Sequence, residues 1–320
     1  MPLRLSLLLV LSACSGSDDD ATSPGDGDDD DISTTDTSPT DTSTPDPTTD
    51  TTTADTSTGD TDPVTDFRLE GGHTVAESSA TLELDGCSLR YDLYLPDGDA
   101  TAPLLVLGHG FQRAPRHMAD LARHVASHGV QVAAPEFCWD RLTGSDHPRN
   151  GRDAAELAES LAPGAPVVYA GQSAGGLASF FAADADPDAI AVLGLDPVDT
   201  TGEVADALGR EMPRWALLGE PGACSGNAAI RPYLEDGGCR TSALVGATHC
   251  DFELPTDGLC TALCGNATGA ADIVKTVLAA FVADRHGLDP TARAWVDGES
   301  WQGLLDAGVA VELQAADPAW

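Results

Sequence analysis

This sequence has few basic residues and no long apolar run. Its 320 residues contain 16 Lys and Arg against 52 Asp and Glu, which gives a formal net charge of −36. So acidic a chain repels phosphate, which argues against nucleic acid as a partner and against charge-driven binding to anionic membrane surfaces. The apolar run near the N-terminus, Leu5 to Leu11, is too short to span a bilayer as a permanent helix.

Complete sets of metal ligands are also missing from the sequence. The acidic stretches have no calcium-loop spacing, and a zinc site built from Cys260, Cys264 and His249 has no second ligand pair to complete a tetrahedron. We therefore expect no metal and no other cofactor. In an exported protein the cysteines after Cys14 are expected to form disulfides. They number seven, so one thiol should stay free or pair between chains, and the sequence does not fix their connectivity: Cys87, Cys138, Cys224, Cys239, Cys250, Cys260 and Cys264.

The N-terminus has the features of an export signal. Arg4 precedes the short apolar run, and the segment Leu11-Ser12-Ala13-Cys14 resembles a bacterial lipobox. That resemblance implies that residues 1–13 are a signal peptide and that Cys14 becomes the lipid-carrying N-terminus. Ser15 is not an acidic retention residue, which favours the outer membrane of the cell envelope.

The segment 14–66 has the composition of a disordered tether. From residue 15 to 66 it contains sixteen Asp and no Lys or Arg, with Ile32 as its one large apolar side chain before Val64. Such a chain cannot bury enough apolar surface to offset its ordering entropy, and its like charges keep it extended. We expect it to link the lipid to a domain formed by residues 67–320.

Strands and helices alternate through residues 67–320. Apolar and polar residues alternate within two segments, 78–84 and 87–96. This pattern predicts half-exposed antiparallel strands near a sheet edge. Continuous apolar segments then predict buried strands at 103–108, 130–135, 167–170, 189–195, 214–219 and 241–246. Helical segments follow the first three of these strands, and a last amphipathic helix is predicted at 271–287. This order predicts an α/β domain with a mostly parallel central sheet and helices on both faces. In such sheets ligands bind beyond the carboxyl ends of the strands.

One strand-to-helix junction carries a candidate nucleophile. The segment Gly171-Gln172-Ser173-Ala174-Gly175 follows a buried strand and precedes a run of helix formers. A sharp turn of this kind holds a serine in a strained conformation and needs glycines where side chains would clash. It also places the N–H of Ala174 at a helix N-terminus, where a developing oxyanion is stabilised. The alternative is an ordinary tight turn.

A serine nucleophile needs a base, and His249 is the best candidate among eight histidines. It directly follows the last core strand, which places it after Ser173 in the chain order expected for such sites. His147 is in a polar loop and could line the pocket, but it precedes the serine. The remaining histidines are interpreted as structural: His117, His124 and His128 on the solvated side of the first helix, His73 ahead of the core and His286 ending the last helix.

The acid that orients the base has two main candidates. Asp196 ends the strand after the nucleophile helix, and Glu220 ends the next strand. Asp199 and Asp251 are weaker alternatives. The residues alone do not decide among them.

The chain resembles the α/β-hydrolases, in particular platelet-activating factor acetylhydrolases, chlorophyllases and dienelactone hydrolase-like esterases. The residues that carry this resemblance are GHGF (108–111), GQSAGG (171–176), LGLDPVD (193–199) and the THC that contains His249. It implies an α/β-hydrolase fold, Asp196 as the acid, and the N–H groups of Phe111 and Ala174 as the oxyanion hole. Gln172 replaces the histidine that most often precedes the serine, at a side chain outside the triad.

We therefore predict an exported serine hydrolase that cleaves carboxylic esters with Ser173, His249 and Asp196. Phe111, Trp139 and Phe252 are candidates for an apolar wall around the substrate. A lipase, thioesterase or polyester hydrolase would use the same site, and a surface scaffold lipoprotein that kept only the fold is the non-catalytic alternative. The substrate is expected to be a small-molecule or lipid ester, with the membrane contacted only through the N-terminal lipid.

Overall fold

The structure, a computed structural model, describes residues 65–141 and 144–316. The predictions made for the signal peptide, Cys14 and most of the tether lie outside the described residues. Among those that are described, no helix has the length and apolarity needed to cross a membrane.

The described part of the chain is built around a nine-stranded, mostly parallel sheet. Its strands are β1 (Val75–Leu84), β2 (Cys87–Pro96), β3 (Leu104–Gly108), β4 (Gln131–Pro135), β7 (Val167–Gln172), β8 (Ala189–Leu195), β9 (Arg214–Leu218), β10 (Arg240–Leu244) and β11 (Ala310–Gln314). Their order in the sheet is β1-β2-β4-β3-β7-β8-β9-β10-β11. The block from β4 to β10 is parallel, whereas β1, β2 and β11 are antiparallel to their neighbours. A separate small hairpin pairs β5 (Asp140–Arg141) with β6 (Gly144–Ser145).

Helices cover both faces of this sheet. They are α1 (Ala119–Ser127), α2 (His147–Leu161), α3 (Ala174–Ala185), α4 (Arg231–Asp236), α5 (Gly258–Cys264), α6 (Ala271–Arg285), α7 (Arg293–Val296) and α8 (Glu299–Asp306). The alternation of side chains along β3 explains the two layers. Leu105 and Leu107 pack in one core cluster with α1 and α6, and Leu104 and Val106 pack in the other with α2 and α3.

The predicted α/β class with a mostly parallel sheet is confirmed, and so are the antiparallel strands at one edge. The sequence analysis missed β11, which follows the last predicted helix and pairs antiparallel with β10. It also assigned no structure to the short helices α4, α5, α7 and α8, which lack a long apolar period.

The strand order creates a switch point at the centre of the sheet. After β3 the chain passes to β4 on one side, and it later returns to place β7 on the other side of β3. The connections that leave the carboxyl ends of β3 and β7 therefore diverge, which opens a crevice where ligands bind in sheets of this kind. The segments that contain Phe111 and Ser173 begin at these two strand ends.

Candidate active site

Ser173 lies in a strained turn between β7 and α3. Its backbone angles are φ 57° and ψ −121°, which a residue with a side chain rarely adopts. The turn is held by its own backbone, because the Ser173 N–H donates to Leu195 O at 3.0 Å and its carbonyl accepts from Val198 at 3.2 Å. The sheet neighbour β8 thus fixes the serine at the carboxyl edge.

Glycine is required on both sides of this turn by close packing. A Cβ atom on Gly171 would overlap the carbonyl of Gly175, and a Cβ on Gly175 would overlap the backbone of Gly108 and His109. The turn at Ser173 therefore packs directly against the segment that follows β3. Ala174 is the first residue of α3, so its N–H has no acceptor within the helix.

The segment after β3 is held in place by His109. The ring is buried, with Nδ1 2.8 Å from Gly110 O and Nε2 accepting from the Phe137 N–H at 3.1 Å. Burial lowers the pKa of His109, so its ring is neutral, with the proton on Nδ1 facing the carbonyl. This arrangement fixes the turn that presents Phe111, whose side chain is half exposed at the mouth of a cavity.

Asp196 and His249 form a short hydrogen bond. The distance between Asp196 Oδ2 and His249 Nδ1 is 2.6 Å, and both side chains are buried. The other carboxylate oxygen of Asp196 accepts from the Gly219 N–H at 3.0 Å, and its backbone N–H donates to Leu217 O at 2.8 Å. Because Nδ1 faces a carboxylate, it carries the proton, and Nε2 of the neutral ring is left as an acceptor.

The other acid candidates do not contact His249. Glu220 is exposed, and its carboxylate accepts from the Gly246 N–H at 3.0 Å. Asp199 accepts from the backbone of Thr201, Gly202 and Val204, which lowers its pKa and marks it as a turn-forming residue. Asp251 similarly accepts from three N–H groups, those of Thr248, Thr268 and Gly269.

Gln172 contacts the candidate base directly, and this contact was not predicted from the sequence. Its side-chain amide nitrogen lies 2.9 Å from His249 Nε2, the atom that would accept a proton from the serine. Gln172 is buried, and its Oε1 atom has no hydrogen-bond partner. Among the described residues Ser173 forms no hydrogen bond with His249. The glutamine amide therefore occupies His249 Nε2, the acceptor to which Ser173 would have to donate its proton.

A cavity of about 370 Å³ connects these groups. Ser173, His249, Gln172 and Gly110 lie on its polar side. Its other side is mainly apolar and comes from the loop after β3, the loop after β9 and helix α5: Phe111, Cys224, Leu259, Cys260, Leu263 and Cys264. The volume falls at the small end of the roughly 300–1,000 Å³ that is typical of ligand pockets.

An ion-pair cluster at this cavity joins three segments of the site. Arg113 donates to both carboxylate oxygens of the buried Glu253, at 2.8 and 2.6 Å, and lies 3.0 Å from Asp257. Asp257 caps α5 by accepting from the N–H groups of Leu259 and Cys260. The Cys260 N–H and the Arg113 guanidinium hold the pKa of Asp257 well below its usual range. The sequence analysis singled out none of these charged residues.

Three disulfides and one buried thiol account for the seven cysteines. The bonds are Cys87–Cys138, Cys224–Cys264 and Cys250–Cys260, and Cys239 is free. The expectation of disulfides with one leftover thiol is confirmed. The sulfurs of Cys250, Cys260 and Cys264 lie within 4.8 Å of one another. Because all three are in disulfides, they are not thiolates and cannot serve as zinc ligands.

The placement of the first-helix histidines was wrong. His117 and His124 are buried rather than solvated, and His128 is partly buried. His124 Nε2 lies 2.9 Å from Phe67 O, so the segment that precedes β1 covers this face of α1. This cover was not predictable from a local pattern, since residues 65–71 form neither strand nor helix.

None of the other histidines lines the cavity. His147 begins α2 and hydrogen-bonds to the backbone of Ala174, the residue after Ser173. His73 pairs with Asp97 at 2.8 Å on the surface, and His286 ends α6 as expected, with Nε2 3.2 Å from Leu104 O.

Only one of the three aromatic wall candidates faces the cavity. Phe111 lines it, whereas Phe252 is fully buried in the core that contains α1 and α6. Trp139 lines a different depression and donates to Asp153 at 2.7 Å. The prediction was therefore wrong for Phe252 and Trp139.

Comparisons with known proteins identify no family for this chain. No family model matches the chain, and no curated protein matches it. The function of this protein is therefore inferred from the site itself.

Proposed function

We propose that this protein is a serine hydrolase with an α/β-hydrolase fold that cleaves carboxylic esters. The observation that carries the proposal is the 2.6 Å hydrogen bond between Asp196 and His249, because His249 lines one cavity together with a serine held at positive φ. A serine hydroxyl becomes nucleophilic when an oriented imidazole takes its proton. The three residues come from three different strand ends, which is how sites form at the edge of a parallel sheet.

The reaction follows from the positions of these groups. The Gln172 amide leaves His249 Nε2, Ser173 Oγ attacks the ester carbonyl, and His249 accepts the hydroxyl proton. Asp196 stabilises the imidazolium that forms. The N–H groups of Phe111 and Ala174 would stabilise the oxyanion. His249 then protonates the leaving alcohol, and water releases the acid from the acyl-enzyme.

The decisive experiment compares four forms of the full-length oxidised chain: wild type, Ser173→Ala, Asp196→Asn and Glu220→Gln. Each is treated with a fluorophosphonate probe and assayed on p-nitrophenyl acetate. Wild type should label and turn over, and Ser173→Ala should do neither. Asp196→Asn should lose about 10²–10⁴-fold in kcat, because the amide favours the wrong imidazole tautomer. Glu220→Gln is the matched control and should retain activity.

One result would overturn this function, and another would overturn only the assignment of the acid. Folded wild type that neither labels nor hydrolyses the ester would favour the scaffold alternative. Equal activity in Asp196→Asn and wild type would remove Asp196 from the triad. A lipase, thioesterase or polyester hydrolase would pass the same test and differ only in its best substrate.

The proposed location is the cell envelope, through a lipid on Cys14. This follows from the lipobox resemblance, in residues outside those described. Radiolabelled palmitate should be incorporated into the wild-type chain in a bacterial host and not into a Cys14→Ser variant. Labelling of both chains alike would refute the anchor.

A further inference from the structure

Helix α5 presents two exposed leucines at the mouth of the cavity. Leu259 and Leu263 are 57% and 69% exposed, and both line the space above Ser173. They are four residues apart, so they lie on the same face of the helix. Phe111, 40% exposed, is the third large apolar side chain of this mouth. Exposed leucine and phenylalanine side chains gathered at one cavity mark a site for an apolar ligand.

The position of α5 is fixed by covalent and ionic links. Cys250–Cys260 attaches it to the residue after His249, and Cys224–Cys264 attaches its last residue to the loop after β9. Its N-cap, Asp257, pairs with Arg113 at 3.0 Å. A seven-residue helix would not be stable alone, so these links hold the two leucines beside the nucleophile.

The charges at the cavity do not favour an anionic ligand. Arg113 and Glu253 both line it, and they neutralise each other through two hydrogen bonds. Arg113 also pairs with Asp257, so two carboxylates more than balance its positive charge and leave no free cation for an anionic group. The strongly acidic chain adds repulsion for anionic lipids or acids.

We infer that α5 and Phe111 form the binding subsite for an apolar chain of an uncharged ester substrate. This inference rests on the proposed function and narrows it to a substrate class. The chain would lie along Leu259 and Leu263 while its ester carbonyl reaches Ser173. The apolar chain could belong to the acyl group or to the alcohol of the ester, because either would make the same apolar contacts with these leucines.

The test is a chain-length series on the full-length oxidised protein. The acyl arm compares p-nitrophenyl acetate, butyrate and octanoate, and the alcohol arm compares butyl with octyl acetate. Each fully buried methylene improves kcat/KM about 4-fold, so a partly enclosed chain should give at least ~10-fold between the short and long esters. That advantage should appear in at least one arm and disappear in the double variant Leu259→Ser/Leu263→Ser.

Controls separate this inference from folding and from the proposed function. The double variant Leu69→Ser/Leu288→Ser removes two exposed leucines that do not line the cavity, and it should keep the wild-type preference. Activity on p-nitrophenyl acetate and fluorophosphonate labelling should stay within about 2-fold of wild type in this control variant. The α5 variant is judged by its ratio of long-ester to short-ester kcat/KM, which a general loss of folded protein would leave unchanged.

Three results would overturn the subsite while leaving esterase activity intact. They are an unchanged chain preference in the α5 variant, an equal loss on short and long esters, and faster cleavage of p-nitrophenyl hemisuccinate than of the butyrate. Wild type that fails to cleave acetate and takes no label would overturn the proposed function, and the subsite with it.

Discussion

The contact between Gln172 and His249 predicts that Gln172 restrains the nucleophile. Neutral imidazole has one acceptor lone pair at Nε2, and the Gln172 amide occupies it at 2.9 Å. Ser173 can donate its proton only after this bond is broken. A buried hydrogen bond between neutral groups contributes about 0.5–1.5 kcal/mol net. A variant that lacks this hydrogen bond should have a larger fraction of molecules in which Nε2 can accept the Ser173 proton, by about 2- to 12-fold.

Gln172→Met is the appropriate perturbation, because it keeps the volume and removes the N–H donors. The second-order rate constant for fluorophosphonate labelling of Ser173 should rise by that factor. Stability should not fall, since the variant also removes a buried Oε1 atom that has no partner, a defect that costs about 1–3 kcal/mol. Gln131→Met is the matched control, because Gln131 is buried on β4 with its own amide nitrogen unpartnered. It should leave labelling unchanged.

A tenfold slower labelling of folded Gln172→Met, with Gln131→Met unaffected, would refute this reasoning. It would mean that the amide holds the imidazole in its productive orientation. Gln172→Glu adds a second check, because a carboxylate facing Nε2 would pair with the imidazolium and slow labelling. Faster labelling of that variant would also contradict competition for the lone pair.

Three further predictions concern stability and cysteine reactivity. Burial lowers the pKa of His128 to about 4, so the unfolded chain takes up its proton first as the pH falls. Urea unfolding should therefore show that the free energy of unfolding falls by about 1–2 kcal/mol between pH 6.5 and 4, a figure reduced to allow for the partial exposure of His128. The variant His128→Phe should weaken this dependence of stability on pH. Cys239 is fully buried with its pKa raised to about 12, so peptide mapping should find it unalkylated by iodoacetamide until the protein is denatured. Replacing Cys224 and Cys264 by serine opens a link across 40 residues, and calorimetry should show about 4 kcal/mol of destabilisation; a loss below 1 kcal/mol would contradict the chain-entropy argument.

The parts of the fold that the sequence predicted are those with a strong local pattern. The segments at 103–108 and 167–170 are continuously apolar because β3 and β7 are covered on both faces. The turn at Ser173 was predictable because its glycines are adjacent to it in sequence. Neither conclusion required knowledge of which strands are neighbours.

The parts that were missed depend on contacts between distant residues. Gln172 and His249 are 77 positions apart, and nothing beside either one predicts that they touch. The burial of His124 depends in the same way on Phe67, 57 positions away. Asp196 could be preferred over Glu220 only through a resemblance, because both residues follow buried strands. The structure separates them by placing one in contact with the imidazole and the other on the surface.

Helix α5 connects the site to the environment in which the chain folds. The cluster of Ser173, Asp196 and His249 is held by the sheet and its backbone hydrogen bonds, whereas α5 is held largely by two disulfides. Disulfides persist in oxidising compartments and are reduced in a cytosol. The apolar wall we propose would thus form only in an exported chain, which the N-terminal resemblance to a lipobox independently implies. In a reducing environment the same chain would retain the groups for ester cleavage but lose the fixed surface that selects among esters. The proposed selectivity among esters would therefore depend on export more than the proposed ester cleavage would.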